Sequence, residues 1–254
     1  MNDKVISLVS NKEQFKKFTT YIKELSLIDH TIIMLLNNDN IIMYSFVGKD
    51  INDIHAFKSV IIDTNDIFYK KRTIDKTIKI VIKDGKKFNK NTSLFLMEET
   101  DIKLKVSYDD NDMNANYIHL DNNKLKIKEI CGDPLMLSKE ITKDDIDFLT
   151  NKNNAHFNFN LNKEDFKKIK RLSTIELTND ILYIKVHNNE LFIGENKWEI
   201  KICDINRDNM SISFPKKYFN SITFDDNSDI YLFENYILVS DNNTDLMIVL
   251  ETTV

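Results

Sequence analysis

The chain has 254 residues, 42% hydrophobic and 30% charged, with a net charge of −5 at pH 7. That length buries one large core or two ordinary ones, and the acidic balance argues against nucleic acid only if charge is spread evenly, because a field depends on where charges sit. Two cysteines, Cys131 and Cys203, are too few for a disulfide framework; no signal-like segment precedes the folded pattern, and the apolar run Ile32 to Leu36 is too short to span a bilayer, so a cytoplasmic protein with no membrane contact is expected.

In chain order, an apolar run from Val5 to Val9 leads into Asn11-Lys-Glu-Gln-Phe-Lys-Lys-Phe18. Asn11 suits an N-cap and Glu13 a first turn, so the spacing predicts a strand followed by a helix. At about 100° per residue, Phe15, Phe18, Tyr21, Ile22 and Leu25 share one arc, while Lys12, Lys16, Thr19 and Lys23 share a neighbouring one. One face is core and the next is a lysine stripe. Strand-like runs follow at Thr31–Leu36, Ile41–Val47 and Asp53–Ile62, with Asn37-Asn-Asp-Asn40 as the first turn. Asp63–Lys71 reads as a short second helix. Beyond it, Ile78, Ile80 and Ile82, then Ile102, Leu104 and Val106, then Leu125 and Ile127 alternate with mostly lysine neighbours, which predicts half-buried antiparallel strands with one wet face.

From Cys131 to Asn154 the alternation stops. Gly132-Asp-Pro134 signals a turn and Asp144, Asp145 and Asp147 cluster, so this stretch reads as a connector with a short helix near Thr142–Leu149. The second half then repeats the order of the first. A run from Phe157 to Leu161 precedes Asn162-Lys-Glu-Asp-Phe-Lys-Lys-Ile169, and here Phe166, Ile169 and Leu172 gather on one side with Lys163, Lys167, Lys170 and Arg171 on the other. Strands are predicted near Ile181–Val186, Glu190–Ile193, Trp198–Cys203 and Met210–Phe214; Pro215 can open a short helix to Ile222 carrying Lys216 and Lys217. Strands at Asp229–Phe233, Tyr236–Ser240 and Asp245–Glu251 close the domain. The expected organisation is an N-terminal domain over 1–130, a connector over 131–154 and a C-terminal domain over 155–254. Each is α+β, antiparallel sheets with two helices on one face.

Catalytic chemistry finds little support. Gly48, Gly85, Gly132 and Gly194 stand too far apart for a phosphate-cradling loop, and His30, His55, His119, His156 and His187 show no metal-ligand spacing. The clusters Asp109-Asp-Asn-Asp112 and Asp225-Asp-Asn-Ser-Asp229 lack the Gly and terminal Glu of an EF-hand loop and read as turns. Neither an enzyme nor a bound cofactor is expected.

With both halves laid out, the chain resembles the DNA sliding clamps, particularly the phage clamps of the T-even type, which share a fold with proliferating cell nuclear antigen. The carriers are Leu8 to Thr20, Leu161 to Leu172 followed by Ile181 to Ile193, and Met210 to Glu251; residues 84 to 122 align poorly. The resemblance implies a homotrimeric ring of two-domain subunits, a processivity factor that encircles duplex DNA regardless of sequence, is loaded by a clamp-loader ATPase and tethers a replicative DNA polymerase. Mapped residue by residue, it implies DNA contacts at Lys12, Lys16, Lys23, Lys163, Lys167, Lys170 and Arg171, and on the short helices at Lys70, Lys71, Arg72, Lys216 and Lys217. It also implies subunit contacts at edge strands carrying Lys124, Lys126 and Lys128 in one domain and Trp198, Ile200 and Ile202 in the other. A partner-peptide groove is implied at Leu135, Met136, Leu137, Met247, Val249 and Val254, and a negative outer body that repels DNA from everywhere but the hole. The alternative is a scaffold or virion component of duplicated sheet domains, in which the lysine stripes are only solvated faces.

Overall fold

The computed structural model describes residues 3–49, 53–134, 141–175, 180–221 and 227–250. The chain divides into two units, Met1–Lys143 and Asp144–Val254. In the first, β1 (Asp3–Ser10) runs into α1 (Lys12–Leu25), followed by β2 (Ile32–Leu36), β3 (Asn40–Gly48) and β4 (Ile54–Asp63). A single-turn α2 (Thr64–Ile67) and the two-residue β5 (Lys70–Lys71) come next, then β6 (Ile78–Ile82), α3 (Gly85–Ser93), β7 (Ile102–Asp109), β8 (Ala115–Asp121) and β9 (Lys126–Ile130). The second unit holds α4 (Lys143–Leu149), β10 (Phe157–Leu161), α5 (Lys163–Ile175), β11 (Ile181–His187), β12 (Glu190–Glu195), β13 (Trp198–Asp204), β14 (Met210–Pro215), α6 (Lys216–Phe219), β15 (Ser228–Leu232), β16 (Tyr236–Ser240) and β17 (Thr244–Val249).

Named strand pairs are antiparallel throughout. In unit 1, β1, β7, β8 and β9 pair in that order with β5 outside β1, and β6, β2, β3 and β4 pair in that order. Unit 2 reproduces both sets as β10, β15, β16, β17 and as β14, β11, β12, β13. The duplication read from two short helix motifs thus extends to the whole topology. Asn188 and Asn189, both at positive φ (52° and 63°), make the tight β11–β12 turn, a conformation Asn tolerates and hairpins of this length require.

Three elements differ from the sequence expectation. The helix expected over Asp63–Lys71 stops at Ile67, because Phe68 turns extended (φ −127°, ψ 110°) to bury its ring 6.2 Å from Phe18; Lys70 and Lys71 then pair with Val9 and Leu8. The poorly aligned region holds α3 and β8, neither of which was expected. The α3 signal is legible afterwards: Asp84 as cap, then Phe88, Thr92 and Phe95 at i, i+4 and i+7, all buried.

The unit 1 core gathers Leu8, Leu104 and Ile118 from one sheet, Ile32, Met43 and Ile80 from the other, and Phe15, Phe18, Phe88 and Phe95. Burying a Phe or Leu side chain contributes about 1.5–3 kcal/mol over leaving it exposed. In unit 2, Phe166 and Ile169 of α5 are buried, as are Leu182, Ile193, Phe214 and Phe219.

Candidate nucleic-acid interface

Three helices carry the concentrated basic charge, and each starts from a side-chain cap. Asn11 accepts from the Gln14 backbone N–H at 2.9 Å while its own N–H donates to the Gln14 side chain at 3.3 Å, a capping box. Asn162 accepts from the Asp165 N–H at 2.9 Å and Asp84 from the Lys87 N–H at 2.9 Å, so α5 and α3 begin the same way. The caps fix where each helix starts, and therefore which angular position each lysine takes.

Ion pairs and rings then hold the helices to their units. Glu24 near the end of α1 meets Lys58 of β4 at 2.6 Å, both essentially sealed from water. Such a pair contributes little net stability, but either member alone would be a buried uncompensated charge, so α1 can sit only where they meet. In unit 2, Phe166 of α5 and Phe219 of α6 lie 5.3 Å apart and the Ser173 hydroxyl donates to Asn220 Oδ1 at 3.0 Å. Glu195, fully buried at the end of β12, meets Lys216 Nζ at 3.1 Å.

That last contact corrects an expectation. Lys216 is 7% exposed and neutralised by Glu195, so it cannot meet a phosphate. Lys70 and Lys71 lie on a strand rather than a helix, and the Lys71 ammonium donates to the Asn38 carbonyl. Lys12 is ion-paired with Glu99. Lys163 and Lys170 are half-buried, with the Lys170 ammonium 5.9 Å above the Phe166 ring. Lys217 is exposed and lies 4.6 Å over the Tyr218 ring, and Arg72 is exposed. Lys16, Lys23, Lys167 and Arg171 are exposed and make no ion pair among the described residues. Sequence reasoning missed Lys86, Lys87 and Lys90 on α3, a helix with three lysines and no acid. Lys87 reaches Glu129 at 3.8 Å, whereas Lys86 and Lys90 are exposed and make no ion pair among the described residues.

The two edges expected to carry subunit contacts stand at ends of their sheets, β9 after β8 and β13 after β12. Lys124 pairs with Glu98 at 2.8 Å and Lys126 with Asp121 at 3.8 Å, Lys128 sits over Tyr117, and Ile130 is 74% exposed. Trp198, Ile200 and Ile202 are half-buried along β13. Gly194 lets β12 turn into this edge, since a Cβ there would lie 2.2 Å from the Trp198 carbonyl oxygen. Of the expected peptide groove, Leu135, Met136, Leu137 and Val254 lie outside the described residues. Met247 is buried at 4% exposure, which corrects its reading as an exposed groove residue, and Val249 is half-buried.

Burial pushes the Cys131 thiol up to about 12 and raises the Cys203 thiol, so both stay protonated and unreactive near neutral pH. Among the described residues no group of three His, Cys, Asp or Glu side chains is placed to hold a metal ion, and no helix is long and apolar enough to cross a membrane.

Two topologically equivalent α+β units, each packing a capped basic helix against antiparallel sheets, have the DNA sliding-clamp fold. Neighbouring solved structures include PCNA of A. fulgidus bound to the C-terminal region of FEN-1 (TM-score 0.68, 12% identity, covering 98% of this chain and 99% of that one). Others are the DNA polymerase III beta subunit of Thermotoga maritima (0.65, 10%, covering 98% and 65%) and the Helicobacter pylori beta clamp bound to a DNA ligase peptide (0.62, 14%, covering 98% and 67%). The chain thus spans just under two thirds of the Thermotoga subunit and nearly all of the archaeal PCNA. No protein-family model and no curated protein matches the sequence.

Proposed function

We propose that this chain is a sliding clamp of the phage type: a homotrimeric, non-enzymatic ring that encircles duplex DNA, is opened by a clamp-loader ATPase and tethers a replicative polymerase. The observation that carries this is the set of unneutralised cations Lys16, Lys23, Lys86, Lys90, Lys167 and Arg171 on capped helices of a clamp fold, in a chain of net charge −5. Flexible lysines meeting phosphates without reading bases give retention with sliding, and each phosphate contact contributes about −0.9 to the slope of log affinity against log salt. Ring closure is assigned to pairing of β9 with β13 of the next copy, since edge strands leave backbone donors and acceptors open. Partners whose tails resemble the peptides on the neighbouring clamps are assigned to the connector and the end of β17.

Light scattering tests the assembly: three copies of the 29.9 kDa chain are expected. Proline at Lys126 or Ile200 removes a ladder hydrogen bond and shifts the mass toward monomer. A monomeric wild-type chain that is not retained on nicked circular duplex DNA would leave the scaffold reading in its place. Leu135→Ser with Leu137→Ser abolishes polymerase stimulation while leaving mass and retention intact; surviving stimulation puts the groove elsewhere.

A further inference from the structure

The sheet β5-β1-β7-β8-β9 turns Ile6, Leu8, Leu104, Val106, Ile118 and Leu120 to the core, where Phe15, Phe18 and Phe88 of α1 and α3 meet it. Its other face is wet. There the register places Lys105 opposite His119 and His119 opposite Lys128, with Lys103 and Lys126 on either side of Asp121, and Tyr117 opposite Ile130. Strands lie about 4.8 Å apart and alternate residues about 6.8 Å along a strand, so four lysines fall within about 10 Å by 7 Å around two aromatic rings. Asp121 is the acid within this register, and Lys126 approaches it at 3.8 Å; Lys103 and Lys105 make no ion pair among the described residues. Tyr117 and His119 meet edge to face at 4.9 Å, and the Lys128 ammonium lies 4.0 Å over the Tyr117 ring. Burial, then Lys128 and Lys105, hold the His119 imidazole below its ordinary value, so the ring is neutral in a positive field.

The fold does not demand this face. On the equivalent strands of unit 2 the positions of Lys103, Lys105, His119, Asp121, Lys126 and Lys128 are held by Asp229, Tyr231, Leu238, Ser240, Asp245 and Met247. Nor does it fit a uniformly negative exterior, which corrects the expectation that the body away from the helices repels DNA throughout.

We propose that this sheet face binds single-stranded nucleic acid without sequence preference, with bases stacking on Tyr117 and His119 and phosphates meeting Lys103, Lys105, Lys126 and Lys128. Aromatic rings between rows of cations suit a polymer that alternates flat bases with anions. An acidic peptide would use only the cations, and a duplex on a flat sheet would keep its bases out of reach.

The test is fluorescence anisotropy of a labelled oligothymidylate with the full-length chain. Lys105→Glu with Lys128→Glu is expected to weaken binding at least tenfold and to shrink the log–log salt slope by about 0.7 per lost contact. Lys105→Gln with Lys128→Gln shifts affinity the same way, and circular dichroism checks that both remain folded. Tyr117→Leu is expected to weaken binding severalfold with the slope unchanged, because stacking carries no counterion release. Lys16→Glu with Lys167→Glu keeps wild-type affinity for the oligonucleotide while losing duplex retention, which separates this surface from the helices. Unchanged affinity in the Lys105/Lys128 or Tyr117 variants overturns the proposal. So does equal competition by polyglutamate, which would make the face an acidic-peptide surface.

Discussion

The two units share strand order, helix cap and the Lys-Glu-x-Phe-Lys-Lys segment, yet they spend their charge differently. Unit 1 follows its capped helix with nine-residue α3, whose Lys86 and Lys90 stand in water; unit 2 has four-residue α6, whose Lys216 is sealed against Glu195. Unit 1 closes its wet sheet face with Lys103, Lys105, Lys126 and Lys128, where unit 2 puts Asp229, Tyr231, Asp245 and Met247. The lesson is that duplication preserves what packs, while the same topological position is free to change charge sign. Basic character cannot be transferred between halves by position alone; it has to be read from each lysine's neighbours.

The comparison is broken most sharply at the buried pairs. Lys58→Met removes the ammonium beside buried Glu24 in unit 1, and Lys216→Met the one beside buried Glu195 in unit 2; each is expected to cost about 3–5 kcal/mol. Calorimetry should show the melting temperature falling in both. A negligible loss for Lys216→Met would return Lys216 to the solvent-facing candidates.

Charge reversal on the helices gives an intermediate effect. Lys86→Glu with Lys90→Glu should weaken duplex retention about as much as Lys16→Glu with Lys23→Glu, each pair lowering the salt slope by up to about 1.8. Lys217→Glu alone should change it by half that or less. If the α3 pair leaves retention untouched, unit 1 presents α1 alone and the asymmetry with unit 2 disappears.

The smallest effect concerns what the halves have in common. Asn11→Ala and Asn162→Ala each remove one side-chain acceptor from a helix start and should cost about 1 kcal/mol. Equal losses in thermal denaturation would confirm that the caps are equivalent, whereas a silent Asn162→Ala would mean that α5 is positioned by Phe166 and Phe219 instead.

Much of this architecture was readable locally. Period-two alternation located most strands, and Asn11 and Asn162 with their apolar arcs located α1 and α5, because a helix start and an amphipathic face are written within a dozen residues. The order of those elements, repeated, was enough to suggest two like domains. What no local pattern could decide was the fate of individual cations. Lys58 and Lys216 look as solvent-seeking as Lys16 in sequence, and only the approach of Glu24 and Glu195 from distant segments makes them interior. Phe68 cut short the expected helix because a site beside Phe18, fifty residues earlier in the chain, was worth more than another helical turn. Cross-strand register likewise brought Lys105, His119 and Lys128 into one row from three strands. Sequence by itself determined most of the elements and their duplication; the tertiary structure decided which charges face water, because burial depends on partners the chain meets only after it folds.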